Sequence, residues 1–183
     1  MEVMKQVVEK MAVVSPFTVA LVGTHVDGAP NFCLVTNLTV GDLGSHIVIG
    51  IGTKHHTWQG IQQNAVFSVN LPDTQHLRSV DACAKHSGRD RDKATGFTLF
   101  YGTLEHAPMI EEFPITMECR VREIVELETH AVIIGSVVQS FVEESSGNEC
   151  FDPVVVDPIL YCLDGGYYRL GEKIGSVGQS SDR

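Results

Sequence analysis

Short runs of apolar and β-branched residues recur along the chain, separated by polar or glycine-containing segments. Runs of this length and composition are typical of β-strands rather than of long helices. The dipeptide Asp27-Gly28 lies between the first two runs and predicts a tight hairpin turn. The pattern predicts strands over residues 17–26, 31–36, 46–52, 66–71, 115–125 and 131–142.

Three other segments show the apolar spacing of short amphipathic helices. The first lies at the N-terminus and ends at Ser15-Pro16, because the residue before a proline disfavours helical geometry. Its apolar positions are Val3, Met4, Val7, Val8 and Met11. The other two helices are predicted over residues 53–64 and 74–86.

The order of these elements distinguishes between fold classes. Six or more strands with few helices and no regular βαβ alternation disfavour a doubly wound parallel sheet. We therefore predict a mainly β fold, an antiparallel barrel with short peripheral helices. A length of 183 residues suits one domain, which we place at residues 1–174, followed by a polar, flexible tail at residues 175–183.

Charge and hydropathy exclude two classes of partner. The chain has 13 Lys and Arg against 23 Asp and Glu, a formal net charge of −10, whereas nucleic-acid binding needs clustered cations. No apolar stretch approaches the roughly 20 residues that span a bilayer, and the N-terminus does not have the pattern of a secretory signal. We expect a cytoplasmic protein without a nucleic-acid or membrane partner.

The five cysteines show no CxxC spacing, which usually marks zinc or iron–sulfur ligation. We expect reduced, mostly buried thiols and no metal site. Cys83 and His86 are three residues apart on a predicted helix, a spacing that suits a nucleophile and its base. No third orienting group or oxyanion site accompanies them, so a buried cysteine and a surface histidine are the favoured interpretation.

The strongest candidate for chemistry lies at residues 50–57, where two glycines end a strand and a helix is predicted to begin. The free N–H groups and positive dipole end of a helix favour an anion, Lys54 adds charge and Thr57 adds a hydroxyl. The glycine spacing fits neither a Rossmann fingerprint nor a P-loop, and the adjacent His55 and His56 do not face one metal ion. The alternative is an ordinary strand-to-helix turn capped by Thr53.

Two further segments could either contact a ligand or have a purely structural role. Thr36, Asn37 and Thr39 follow an apolar strand and could turn backbone groups toward a heterocycle, although a hairpin end that satisfies its own backbone is the simpler interpretation. Residues 87–93 are polar or glycine throughout. Their Arg, Lys, Ser and Gly could contact an anionic ligand together, although charged loops are more often simply solvated.

Several short segments between residues 14 and 171 are weak evidence singly but specific as an ordered set. They are DGAPN at 27–31, KHHT at 54–57, FSVNLP at 67–72, CAKHSGRDRDK at 83–93, APMIEE at 107–112, MECRV at 117–121, DPILY at 157–161 and GGYYRLG at 165–171. On these segments the chain resembles the flavin reductase-like family, the FMN-binding split-barrel proteins that include flavoredoxin. The resemblance covers nearly the whole chain.

This resemblance implies an antiparallel split β-barrel that forms a homodimer, with one FMN bound to each subunit near the interface. Residues 36–39 would face the flavin ring, Lys54, His55 and Thr57 would hold the phosphate, and the loop at 87–93 would close over the flavin. The full set of candidate cofactor-binding residues is Asn31, Thr36, Asn37, Leu38, Thr39, Thr53, Lys54, His55, His56, Thr57, Ser87, Gly88, Arg89, Asp90 and Lys93.

The function implied is a flavin-dependent oxidoreductase that takes hydride from NAD(P)H and passes electrons to an acceptor, with no catalytic side chain required. A flavoredoxin-type electron carrier, reduced by a partner protein, is the alternative, and a split barrel that binds no flavin is a third. Family members often have Ser-Trp where this chain has Thr36-Asn37, and Pro-Pro where residues 41–45 stand. Both departures fall in the segment expected to frame the flavin ring.

Overall fold

The structure is a computed structural model that describes residues 5, 7, 12–42, 44–143 and 152–178. The predicted N-terminal helix falls mostly outside these residues, as do Cys150 and the end of the predicted tail. No helix within the described ranges is long and apolar enough to cross a membrane.

A curled antiparallel sheet forms the body of the molecule. Its strands are β2 (Ala20–Val26), β3 (Ala29–Val35), β4 (Leu38–Val40), β5 (His46–Gly52), β6 (Val66–Leu71), β9 (Ile115–Glu126) and β10 (His130–Val142). Their order in the sheet is β3-β2-β6-β9-β10-β5-β4, and the two ends approach each other, since β3 also contacts β5. The fold is an antiparallel split β-barrel with short peripheral helices, which confirms the predicted fold class.

Smaller elements cover the ends and one face of this sheet. β1 (Phe17–Thr18) pairs with β11 (Ile159–Tyr161), which also pairs with β12 (Tyr167–Arg169), and β7 (Leu99–Phe100) pairs with β8 (Met109–Ile110). The helices are α1 (His56–Asn64), α2 (Leu77–Lys85), preceded by a 3-10 turn at Thr74–His76, and α3 (Pro153–Val156). The predicted strand at 17–26 is therefore two strands, because β1 leaves the barrel sheet to pair with β11.

The strand β2, second from one end of the sheet, is buried on both faces, and alternate residues therefore enter two cores. Ala20 and Val22 pack inside the barrel with Trp58 and Ile61 of α1. Val19, just before β2, and Leu21 pack on the outer face against α2, together with Phe32, Val80, Cys83, Ile110, Phe113 and Ile159. This double burial explains why the run at 17–26 is almost continuously apolar instead of alternating.

Helix α1 lies close against β2 because Gly60 has no side chain. A Cβ at this position would overlap the carbonyl oxygen of His25. The helix starts at His56, three residues after the predicted start, and ends at Ala65, whose φ of 53° lies in the left-handed region. Its first turn is thereby fixed at the end of β5.

Glu118 is a buried carboxylate on β9, on the strand face opposite to Cys119. It accepts hydrogen bonds from the backbone N–H and hydroxyl of Thr103 at 2.9 and 2.7 Å, and from the N–H of Leu104 at 2.8 Å. Burial alone would raise the pKa of Glu118, but these bonds hold it below its ordinary value of 4.5. The carboxylate thus anchors the segment between β7 and β8 to the sheet.

We expect Glu118→Gln to destabilise the fold by about 1–3 kcal/mol, because an amide presents its N–H groups to donors that need an acceptor. Urea unfolding at pH 7 measures this, with Glu123→Gln on the exposed part of the same strand as control. Since the folded pKa is depressed, the Glu118 contribution is complete above the unfolded pKa and lost as the pH falls through the folded value. Equal urea midpoints for the two variants would contradict this role.

Candidate functional site

Within the described residues the start of α1 has no side-chain cap, and of its first-turn N–H groups that of Trp58 donates to the carbonyl of His55 at 3.1 Å. His55 is the N-cap residue, and no side chain in the described part of the chain caps this terminus. The hydroxyl of Thr53 donates instead to the carbonyl of Thr129 at 3.2 Å, so the alternative of a turn capped by Thr53 is wrong. Lys54 is exposed beside this terminus. The arrangement leaves an electropositive helix end facing a cleft.

Asn31 ties the sheet to this helix and to the loop at 87–93. Its side-chain nitrogen donates to the Thr57 hydroxyl at 2.6 Å, and both residues are buried. Gly88 packs against the same amide so closely that a Cβ there would overlap Asn31 Oδ1. Because the Thr57 oxygen accepts from Asn31, its own O–H is a donor, and the Cys33 sulfur lies within hydrogen-bond reach of it.

The loop at 87–93 folds over the start of α1. Arg89 donates from Nη1 to the carbonyl of Lys54 at 3.1 Å, and its backbone N–H donates to the Ser87 hydroxyl at 3.2 Å. Between the loop and the helix lies a cleft of about 230 Å³. Its lining is Lys54, His55, His56, Thr57, Ala84, Lys85, His86, Ser87, Gly88 and Lys93.

A second cleft of about 360 Å³ continues from the first along β3. The two share His56, Gly88 and Lys93, and the second adds Asn31 and Asp90. The structure therefore brings ten of the predicted residues to one place. They are Asn31, Lys54, His55, His56, Thr57, Ser87, Gly88, Arg89, Asp90 and Lys93.

Lys93 is buried although it belongs to a polar loop. Its ammonium donates to the carbonyl of Cys83 at 2.7 Å, at the end of α2, and burial lowers its pKa. Burial, followed by the charge of Lys93, lowers the pKa of His55, and burial followed by Arg89 lowers that of His56. Both imidazoles are therefore mainly neutral near pH 7, and the positive charge resides on Lys54, Arg89 and Lys93.

The cysteine thiols beside this site are not activated. Burial raises the pKa of Cys33 and of Cys83 to about 11. Cys83 is buried, whereas His86 lies half-buried at the end of α2. The thiol is thus protonated at neutral pH, which agrees with the interpretation of a structural cysteine.

Residues 36–39 lie apart from these clefts, at the edge of the sheet. The carbonyl of Thr36 accepts from Leu38 N–H at 3.1 Å, and that of Asn37 accepts from Gly50 N–H at 2.7 Å. β4 is the last strand at this end of the sheet in the described ranges, so one row of its backbone groups faces outward. Leu38 and Thr39 line an apolar groove of about 380 Å³. The strand β5 connects this edge to the start of α1.

Sequence reasoning did not identify the end of α2 as part of the lining. The first cleft is also lined by Ala84, Lys85 and His86. The ammonium of Lys85 forms an ion pair with Oδ2 of Asp81 at 2.6 Å. Their position in the sequence, directly before the polar loop at 87–93, is the one feature that could have indicated this role. Thr53, which was predicted to belong to the site, instead directs its hydroxyl to Thr129.

The fold and site define a split barrel with a cationic cleft at a helix start. Residues 13–171 match the family model of the flavin reductase like domain, and the chain therefore belongs to the flavin reductase-like family. It is 27% identical over 143 residues to a flavin reductase from Pseudomonas putida, which covers 77% of this chain and 75% of that protein.

Solved structures agree with this assignment. Flavoredoxin from Methanosarcina acetivorans superposes with a TM-score of 0.93 at 29% identity, covering 98% of both chains. The FMN-binding protein from Thermus thermophilus superposes with a TM-score of 0.80 at 22% identity, covering 96% of this chain and 98% of that one. At the latter identity the likeness establishes the fold alone.

We expect Gly88→Ala to displace the loop at 87–93, because the new methyl group would overlap the buried Asn31 amide. The cost is about 1–3 kcal/mol of folding free energy by analogy with overpacked cores. Thermal and urea unfolding measure it, with Gly171→Ala as control, since a Cβ there meets no atom of the described chain within 4 Å. Equal stability of the two variants would show that the loop does not dock on Asn31.

Proposed function

We propose that this protein is an FMN-binding oxidoreductase that passes electrons from NAD(P)H through FMN to an acceptor. The observation that carries the proposal is the uncapped start of α1 under the loop at 87–93. Cations and free donors converge there on one cleft. The family to which the chain belongs supports a flavin as the ligand.

The residues present fit the phosphate of FMN. His56 lines the cleft, and among the described side chains its Nδ1 is a buried nitrogen without a hydrogen-bond partner. Lys54 and the Thr57 hydroxyl are donors, and a dianion is the natural acceptor for such a set. Backbone N–H groups in the first turn of α1 add donors whose dipole favours the same charge.

The second cleft suits the polar chain that joins a flavin ring to its phosphate. Asp90 offers carboxylate acceptors and Asn31 a buried amide beside it, a pairing that suits hydroxyl groups. The exposed backbone of β4 would then meet the polar edge of the ring. When bound, FMN supplies the redox chemistry, while these groups hold and orient it and limit the access of water.

We assign no proton-transfer role to any side chain of the site. The nearby thiols are protonated, and His55 and His56 are used for binding. We therefore propose that Asn31, residues 36–39, Thr53 to Thr57 and the loop at 87–93 frame the cofactor, with no catalytic side chain among them.

Assembly and location are further parts of the proposal. An apolar groove beside β4, with Val40 exposed at its rim, supports a homodimer in which FMN lies near the interface. Residues 1–174 would act as one domain of a cytoplasmic protein. A flavoredoxin-type carrier is the second candidate, favoured by the close superposition on the Methanosarcina protein.

The visible spectrum of the protein with FMN tests the function. We expect a bound flavin spectrum that bleaches on anaerobic mixing with NADH or NADPH. Bleaching only by a reduced protein partner would instead identify the electron carrier. A colourless protein that ignores added FMN would refute both candidates.

We expect Lys54→Ala to weaken FMN binding by about 1.5–3 kcal/mol, the usual contribution of a charge-assisted hydrogen bond. Riboflavin, which has no phosphate, should bind the variant and the parent protein equally. Fluorescence titration measures both ligands, with the exposed Lys173→Ala as a matched control. An equal loss for FMN and riboflavin would place the phosphate elsewhere.

A further inference from the structure

Two histidines from distant parts of the chain face each other at the end of β2 that is linked to α1. His25 belongs to β2, and His106 lies 81 residues later, between β7 and β8. The backbone N–H of His25 donates to the carbonyl of His106 at 3.1 Å. This bond fixes the two segments side by side, so the two imidazoles do not meet by chance rotation of free side chains.

The two rings direct the same type of nitrogen at each other. Nδ1 of His25 lies 3.3 Å from Nδ1 of His106, with ring centroids 5.2 Å apart. Two unprotonated ring nitrogens repel at this distance, so either a proton or a cation must lie between them. Without a cation, one Nδ1–H donates to the other nitrogen.

The separation matches what a tetrahedral metal ion requires. Zinc binds imidazole nitrogen at about 2.0–2.1 Å, and two ligands at the tetrahedral angle are then about 3.3–3.4 Å apart. A square-planar ion would hold them closer, at about 2.8–3.0 Å. The observed 3.3 Å therefore favours an ion with tetrahedral preference.

The outer nitrogen of His25 is also arranged as in metal sites. Its Nε2 lies 2.9 Å from the hydroxyl of Tyr101, and the two rings meet edge to face. Metal-ligating histidines usually give their other N–H to such a partner, which fixes the tautomer.

We propose that Nδ1 of His25 and Nδ1 of His106 bind one divalent ion of the zinc class, with Tyr101 orienting His25. No group of three or more His, Cys, Asp or Glu within the described residues is placed to hold a metal. Solvent therefore completes the coordination, and the ion exchanges readily. His25, Tyr101 and His106 are not among the residues that line the two proposed flavin clefts.

Calorimetric titration of the tag-free protein with zinc chloride at pH 7.5 tests the proposal. We expect the protein to bind one zinc ion per chain. The affinity for zinc should be at least about tenfold weaker in His106→Gln, which loses a ligand, and about tenfold weaker in Tyr101→Phe, which loses the group that orients His25. His86→Gln is the matched control, because its imidazole lies 3.4 Å from the Arg91 guanidinium, which disfavours a metal there. This control should bind zinc as the parent protein does.

Nitrogen NMR of the histidine rings in the unmodified protein gives a second measurement that needs no variant. Zinc should shift Nδ1 of His25 and of His106 while Nε2 of His25 stays protonated. The absence of saturable zinc binding, equal loss in His106→Gln and His86→Gln, or shifts confined to other histidines would each overturn the proposal.

Discussion

The contact of Asn31 with Thr57 and Gly88 is the interaction on which the candidate site depends. It joins a strand of the barrel, the first turn of α1 and the polar loop at one buried point. A buried amide without a partner would be costly, so the contact is kept only when all three parts are in place. The two clefts exist because these parts are held a fixed distance apart.

Charge is distributed unevenly around this point. The chain as a whole is acidic, yet Lys54, Arg89 and Lys93 surround the start of α1. Lys93 is held by the end of α2, where the helix dipole favours a cation, so its charge stays beneath the cleft rather than in solvent. An acidic chain whose cations gather at the start of a helix is suited to a small anion rather than to a polyanion such as nucleic acid.

Much of the sheet could be predicted because its strands carry continuous or alternating apolar residues. The strand β4 could not be predicted, since three residues at a sheet edge are too few to show an alternation of apolar and polar positions. The predicted start of α1 is three residues too early because residues 53–55 form a turn, in which the N–H of His55 donates to the carbonyl of Gly52, before the helix begins. In each case tertiary pairing, which local sequence does not report, decided the boundary.

The site was predictable where its residues are adjacent in sequence, as in 54–57 and 87–93. The burial of Lys93 could not be predicted, because its ammonium binds the carbonyl of Cys83, and local sequence does not show that contact. The pairing of His25 with His106 was equally hidden, since their separation along the chain carries no periodic signal. The buried Glu118 was missed for the same reason, as its donors lie on another segment.

A crystal structure of the protein with FMN would test the central claim most directly. We expect the phosphate to lie between the start of α1 and the loop at 87–93, in contact with Lys54 and Thr57. A phosphate bound elsewhere, with only solvent in that cleft, would contradict it.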